Sequence, residues 1–247
     1  MSMGAAARDG LETQLGMDRI VLTLSVVLSV LYLTRTRATP SVSRMVIKAG
    51  STALLSAWVA IRGGPPLLAI ALGGGSIGDA FLAWHGETPF LFGLGSFLIA
   101  HLFYIRLFSE SGTGLGRLVD LFKSHHLDGA DAPMSSFWRA SVAVILVVFF
   151  APILLSRLIP RVAKDLRVPI VVYTTVIVCM VLAALTMDNG WVVAGALMFT
   201  SSDGILATQV FLVDKESAHL AWMPYAVWFL YYTGQLVIAC GVSVERF

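Results

Sequence analysis

The sequence predicts an all-α polytopic membrane protein of about eight transmembrane helices, and three observations predict it. Mean hydropathy is +0.82. Only 13% of the 247 residues are charged, against roughly a quarter in a soluble domain. The apolar residues fall in runs that approach the ~17–25 residues a helix needs to cross a bilayer, without the period-two alternation of barrel strands. Unpaired backbone polar groups cannot be left in lipid, so the runs must be helices.

Taken in order, a polar N-terminal tail, 1–18, lacks the apolar core of a signal peptide. The first and shortest run is Arg19–Thr34, followed by Met45–Ile61. Three runs open on proline, as first-turn prolines do: Pro66–Trp84, Pro89–Phe108 and Pro169–Thr186. Three open on an aromatic residue suited to the membrane interface: Phe137–Ser156, Trp191–Leu212 and Trp222–Val244. Most connections are short. The exceptions are a polar loop, 109–136, rich in Gly and carrying His125-His126, and the basic stretch Arg157–Arg167. No Pro- or Ser-rich linker splits the chain, so 19–244 reads as one transmembrane domain.

Lys and Arg divide eight to the N-terminal side and nine to the other. The total sets no orientation, while the local clusters beside short loops favour the second side as cytoplasmic. A net charge of +2 gives no reason to expect a nucleic-acid partner. Cys179 and Cys240 lie in apolar runs and read as small buried residues, not as a disulfide or metal framework.

Chemistry enters through two acids. Ser76-Ile-Gly-Asp-Ala-Phe-Leu-Ala83 is echoed by Thr200-Ser-Ser-Asp-Gly-Ile-Leu-Ala207. Both read hydroxyl-x-x-Asp-small-apolar-Leu-Ala, and they pair the third run with the seventh. A parallel internal repeat of four helices each would place both at similar depth. Holding Asp79 or Asp203 at a span centre costs at least about 2.5–3.5 kcal/mol, so intramembrane acids are kept for work. The bland alternative is a helix-start capping box. Other polar residues occur at membrane depth: His101 and Tyr104 on one helix face, then Tyr231, Tyr232 and Gln235 in the last span. Lys48 opens the second span and Tyr173 the sixth. Snorkelling and an interfacial aromatic belt are the simpler readings of those two. No nucleophile elbow, P-loop or intramembrane zinc pattern is present, and no lysine lies mid-span.

The order of motifs closely resembles the YhhN-like lysoplasmalogenase family. The resemblance rests on Gly78-Asp79 with Leu82, and on Phe92-Gly93-x-x-x-Phe97-x-x-x-His101-x-x-Tyr104. It rests equally on Val172-Tyr173 with Met180, Gly195-Ala-x-x-Phe199-x-x-Ser202-Asp203, and Tyr231-Tyr232-x-x-Gln235-Leu-x-Ile238. It covers roughly Lys48 to Gly241, and departs where family members often have Lys-Pro and this chain has Lys48-Ala49. The resemblance implies a small eight-helix membrane hydrolase that cleaves the vinyl ether bond of lysoplasmalogens. Products would be a fatty aldehyde and glycerophosphoethanolamine or glycerophosphocholine. The expected membrane is the endoplasmic reticulum or another internal membrane, or a bacterial inner membrane. The partners expected are the vinyl ether lysophospholipid and the bilayer, with no cofactor, no metal and no nucleic acid.

Protonation of a vinyl ether at carbon generates an oxocarbenium ion, the transition-state character that glycosidases handle with paired carboxylates. Asp79 and Asp203 are therefore the expected acid–base pair. His101, Tyr104, Ser202, Tyr231, Tyr232 and Gln235 would orient water or substrate, and Lys48 and Tyr173 would meet the head group. A proton-coupled transporter would also keep paired acids at depth, and a lipid-binding scaffold is the third class.

Overall fold

The computed structural model describes residues 2–112 and 134–244, with side chains for 16–112 and 138–243. Most of the polar loop, including His125-His126, lies outside the described residues. Among them the chain is helical with no strand: α1 (Ser2–Leu33), α2 (Val42–Ile61), α3 (Pro66–Leu82), α4 (Glu87–Ser111), α5 (Met134–Val144), a π-helical segment (Ile145–Phe150), α6 (Ala151–Leu158), α7 (Lys164–Ala184), α8 (Gly190–Phe211), a 3₁₀ turn (Ala218–Ala221) and α9 (Met223–Val244). The expected N-terminal tail continues the backbone of α1.

Seven helical stretches are long and apolar enough to cross a membrane, and Pro66–Leu82 is a shorter apolar helix. Its 17 residues sit at the lower limit for a span. The chain is an all-α, multi-pass membrane protein. Two compact units are formed: Met1–Ala100 with Val242–Phe247, and His101–Gly241.

In the first unit α2 packs against both α1 and α3. Ser41 caps α2, its side chain accepting the Arg44 backbone N–H. Arg44 is buried at the start of α2, and its guanidinium donates to three carbonyls. They are Arg35 O at 3.3 Å, Thr36 O at 3.3 Å, and Ala83 O at the end of α3. The last carbonyls of a helix have no partner within it, and this one side chain satisfies the end of α3 and the turn that follows α1. The glycine of the Gly78-Asp79 motif has a packing reason: a Cβ there would lie 2.5 Å from the Phe97 ring on α4.

In the second unit α8 and α9 approach backbone to backbone. A Cβ on Gly195 would sit 2.7 Å from Gly234 O, and one on Gly234 would sit 2.8 Å from Gly195 O. Small residues at such a crossing are how membrane helices come close enough to pack. Arg139 of α5 is buried and donates to Leu185 O at 2.7 Å and to Met187 O, closing the C-terminus of α7.

Three expectations change. The run at Phe137–Ser156 is not one uniform helix, because Pro152 cannot donate to the carbonyl four residues back and its ring crowds that turn. The π-helical segment directly before it absorbs the mismatch. Pro169 does not begin a helix either. Lys164-Asp165-Leu166-Arg167 adds a helical turn ahead of it, so Pro169 lies inside α7. Cys179 is exposed and Cys240 half-buried, not buried, since the apolar runs holding them are those whose outer faces lipid covers.

Candidate functional site

Both acids lie inside helices. Asp79 is in the last turns of α3, and Asp203 is in the interior of α8. Neither is a helix start, which removes the capping-box reading.

In the first unit Asp79 is 1% exposed and packed among three polar side chains. Lys48 Nζ, reaching from α2, lies 3.3 Å from Asp79 Oδ1. Thr52, one turn further along α2, donates its hydroxyl to Asp79 Oδ2 at 2.9 Å. Ser76, one turn before Asp79, donates to Ala49 O at 2.8 Å and ties α3 to α2 beside the pair. The Lys48 ammonium also stands 5.9 Å from the centre of the Tyr32 ring. Lys48 does not snorkel. It is 9% exposed, and its charge faces the carboxylate.

In the second unit the Tyr173 hydroxyl donates to Asp203 Oδ2. With α7 beginning at Lys164, Tyr173 stands near mid-helix. His101 is fully buried, stacks on Phe199 with centroids 4.8 Å apart, and meets Tyr173 edge-on at 5.5 Å. Tyr231 packs on Phe199 at 5.2 Å and on Trp228 at 5.6 Å, and Tyr232 stacks on Trp228 at 6.0 Å. Tyr104 donates its hydroxyl to Gln235 Oε1. Gln235 is fully buried, and its Nε2 has no hydrogen-bond partner among the described residues. Ser202 donates to Val227 O at 2.8 Å, which braces α8 against α9.

Within each unit, then, the acid is bonded by a polar side chain from the helix before it; His101 meets Tyr173 beside Asp203, while Tyr104 and Gln235 bond each other. Lys48 and Tyr173, expected at a head group, are each bonded to the acid of their own unit. Thr52, Phe199 as a ring beneath His101, and Trp228 were not anticipated. Thr52 carries a readable signal, one turn from Lys48 on the same face of α2.

A fold of apolar helices holding a buried Asp79 and a half-buried Asp203 defines a multi-pass membrane protein. Residues 43–242 match the family model described as the YhhN family, and the chain belongs to that family. It is 29% identical to the human protein named lysoplasmalogenase TMEM86B over 175 residues, 70% of this chain and 61% of the relative. A Mycobacterium bovis protein named lysoplasmalogenase is 28% identical over 186 residues, 74% of this chain and 60% of the relative. The mouse lysoplasmalogenase TMEM86B is 26% identical over 185 residues, 73% of this chain and 66% of the relative. The chain thus spans about 60% of the length of the first relatives it matches. No solved structure matches it.

Proposed function

We propose that the protein hydrolyses the vinyl ether bond of lysoplasmalogens, releasing a fatty aldehyde and glycerophosphoethanolamine or glycerophosphocholine. The observation that carries the reading is the pair of carboxylates inside apolar helices, each held by a polar side chain from the preceding helix. The names of the curated relatives and the family membership supply the reaction.

The chemistry needs a proton on carbon, then a water. Protonation of the vinyl carbon distal to oxygen leaves an oxocarbenium ion. Water adds to it and loses a proton, and the hemiacetal collapses to aldehyde and alcohol. We assign the proton delivery to Asp203. The Tyr173 hydroxyl donates to Asp203 Oδ2 and fixes the carboxyl group in place. We assign Asp79 the role of the second carboxylate, with the Lys48 ammonium 3.3 Å away. That division parallels the acid and the carboxylate of glycosidases.

Gln235 serves as an orienting donor. A buried amide hydrogen without a partner costs about 1–3 kcal/mol. The Tyr104 hydroxyl holds Oε1, so Nε2 is the end offered to a substrate or water oxygen. His101 and Tyr231 share the Phe199 ring, Tyr232 stacks on Trp228, and Ser202 braces α8 against α9.

The test is purified protein with a lysoplasmalogen, aldehyde being read by a coupled dehydrogenase. Wild type should release aldehyde, and Asp79→Asn and Asp203→Asn should each abolish release while eluting as folded protein in detergent. No aldehyde from wild type, with substrate flux across vesicles instead, would move the reading to a transporter. Full turnover in either variant would remove that acid from the mechanism.

A further inference from the structure

The polar cluster around Asp79 holds more positive charge than its acid answers. Arg44 and Lys48, one turn apart on α2, are each 9% exposed. They stand 5.8 and 5.9 Å from the centre of the buried Tyr32 ring of α1. Lys48 is paired with Asp79. Among the described residues no carboxylate pairs with Arg44, whose acceptors are neutral backbone carbonyls. A buried cation without an anion is costly at a spanning helix, and charges kept there mark paths for substrates or ions.

The donors still open on Arg44 suit one kind of anion. A guanidinium carries five N–H groups. Nε donates to Arg35 O, one Nη1 hydrogen goes to Ala83 O, and one Nη2 hydrogen goes to Thr36 O. One hydrogen remains on each terminal nitrogen, as the two-point grip of arginine on phosphate requires. The three carbonyls already hold the guanidinium plane, so little freedom is lost when the anion arrives.

Position in the helices points the same way. Arg44 stands at the start of the spanning helix α2, and Lys48 and Thr52 follow at successive turns. On α3 the Ala83 carbonyl that Arg44 holds is one turn from Asp79, the Ala83 N–H bonding Asp79 O. A turn of helix rises ~5.4 Å. In a lysoplasmalogen six bonds separate the phosphorus from the vinyl ether carbon bonded to oxygen, ~7 Å when extended at ~1.2 Å per bond. A phosphate at Arg44 would thus set that carbon at the level of Asp79, with the apolar chain running on into the bilayer.

We infer that Arg44 is the residue that binds the substrate's phosphate and so sets the vinyl ether at the level of Asp79. The identity of the lipid rests on the hydrolase reading above. Lys48 stays with the acid, and Arg44 supplies the head-group contact.

The experiment compares aldehyde release by the full chain in detergent from two substrates with one alkenyl chain, 1-alkenyl-glycerophosphocholine and the phosphate-free 1-alkenylglycerol. Wild type should favour the first in kcat/KM by roughly ten- to a hundredfold, the scale of a two-point charge-assisted grip. Arg44→Lys keeps the charge without the fork, and the ratio should fall to within about threefold of one. A merely structural Arg44 would depress both substrates alike and keep the wild-type ratio, which would overturn the proposal. Equal use of the two substrates by wild type would overturn it as well, whether or not the variant folds. Retention of the uncleavable 1-alkyl analogues, read by native mass spectrometry, separates the site from the reaction. Wild type that releases no aldehyde yet retains the alkyl-glycerophosphocholine roughly tenfold better than the 1-alkylglycerol would remove the hydrolase reading and keep the Arg44 site. Equal retention would remove the site. Inorganic phosphate at millimolar concentration should leave the analogue bound; full displacement would reassign the fork to a free anion and overturn the proposal.

Discussion

Lys48 Nζ stands 3.3 Å from Asp79 Oδ1, and the two residues come from successive helices of one compact unit. Removing one member of a buried ion pair costs about 3–5 kcal/mol, because the other charge is left in an apolar interior. Lys48→Met should lower the unfolding temperature in detergent markedly. Lys48→Met combined with Asp79→Asn should recover much of that loss while remaining inactive. Additive destabilisation in this double-mutant cycle would show that the two charges do not support each other.

Tyr173→Phe removes a hydroxyl and nothing else from the acid of the second unit. The variant should fold, and kcat should fall by roughly ten- to a hundredfold, matching the ~1–3 kcal/mol of a buried acceptor deprived of its donor. A fall in stability with unchanged kcat would make Tyr173 a strut between α7 and α8.

For Gln235 the informative comparison is between Gln235→Leu and Tyr104→Phe. The first removes the donor itself and should depress kcat most. The second frees the amide to turn and should have the same sign with a smaller effect. Equal activity in Gln235→Leu and wild type would leave the amide with a packing role only.

Gly195→Ala places a methyl group 2.7 Å from Gly234 O. Overpacking of this kind costs about 1–3 kcal/mol, and here backbone rather than a flexible side chain must move. Gly234→Ala should cost a similar amount. The double variant should cost less than the sum, since one separation of α8 and α9 relieves both clashes; chemical denaturation in mixed micelles reads all three.

The span pattern was legible because lipid leaves a helix no alternative, and the acids were legible because charge is costly there. Helix starts were less so. Pro169 looks like a first-turn proline, yet the polar turn from Lys164 to Arg167 carries the helix further back and sinks Tyr173 to mid-helix. That shift of one turn turned a belt residue into the partner of Asp203. The π-helical segment before Pro152 was hidden for a related reason, since composition records a proline but not which neighbouring turn widens around it. The Lys48–Asp79 contact joins residues far apart in sequence, and no local spacing announces it. Thr52 is the one missed member that helical periodicity places, a turn beyond Lys48.

The Arg44 guanidinium has a consequence for how the chain is made. Two of its acceptors, Arg35 O and Thr36 O, precede it and are in place when α2 leaves the ribosome. The third, Ala83 O, exists only once α3 has been synthesised and delivered beside it. Until then the Arg44 charge at the start of α2 lacks that acceptor, and we expect α2 and α3 to enter the bilayer as a hairpin and not one after the other. A single side chain would then set the order of biogenesis of the first unit.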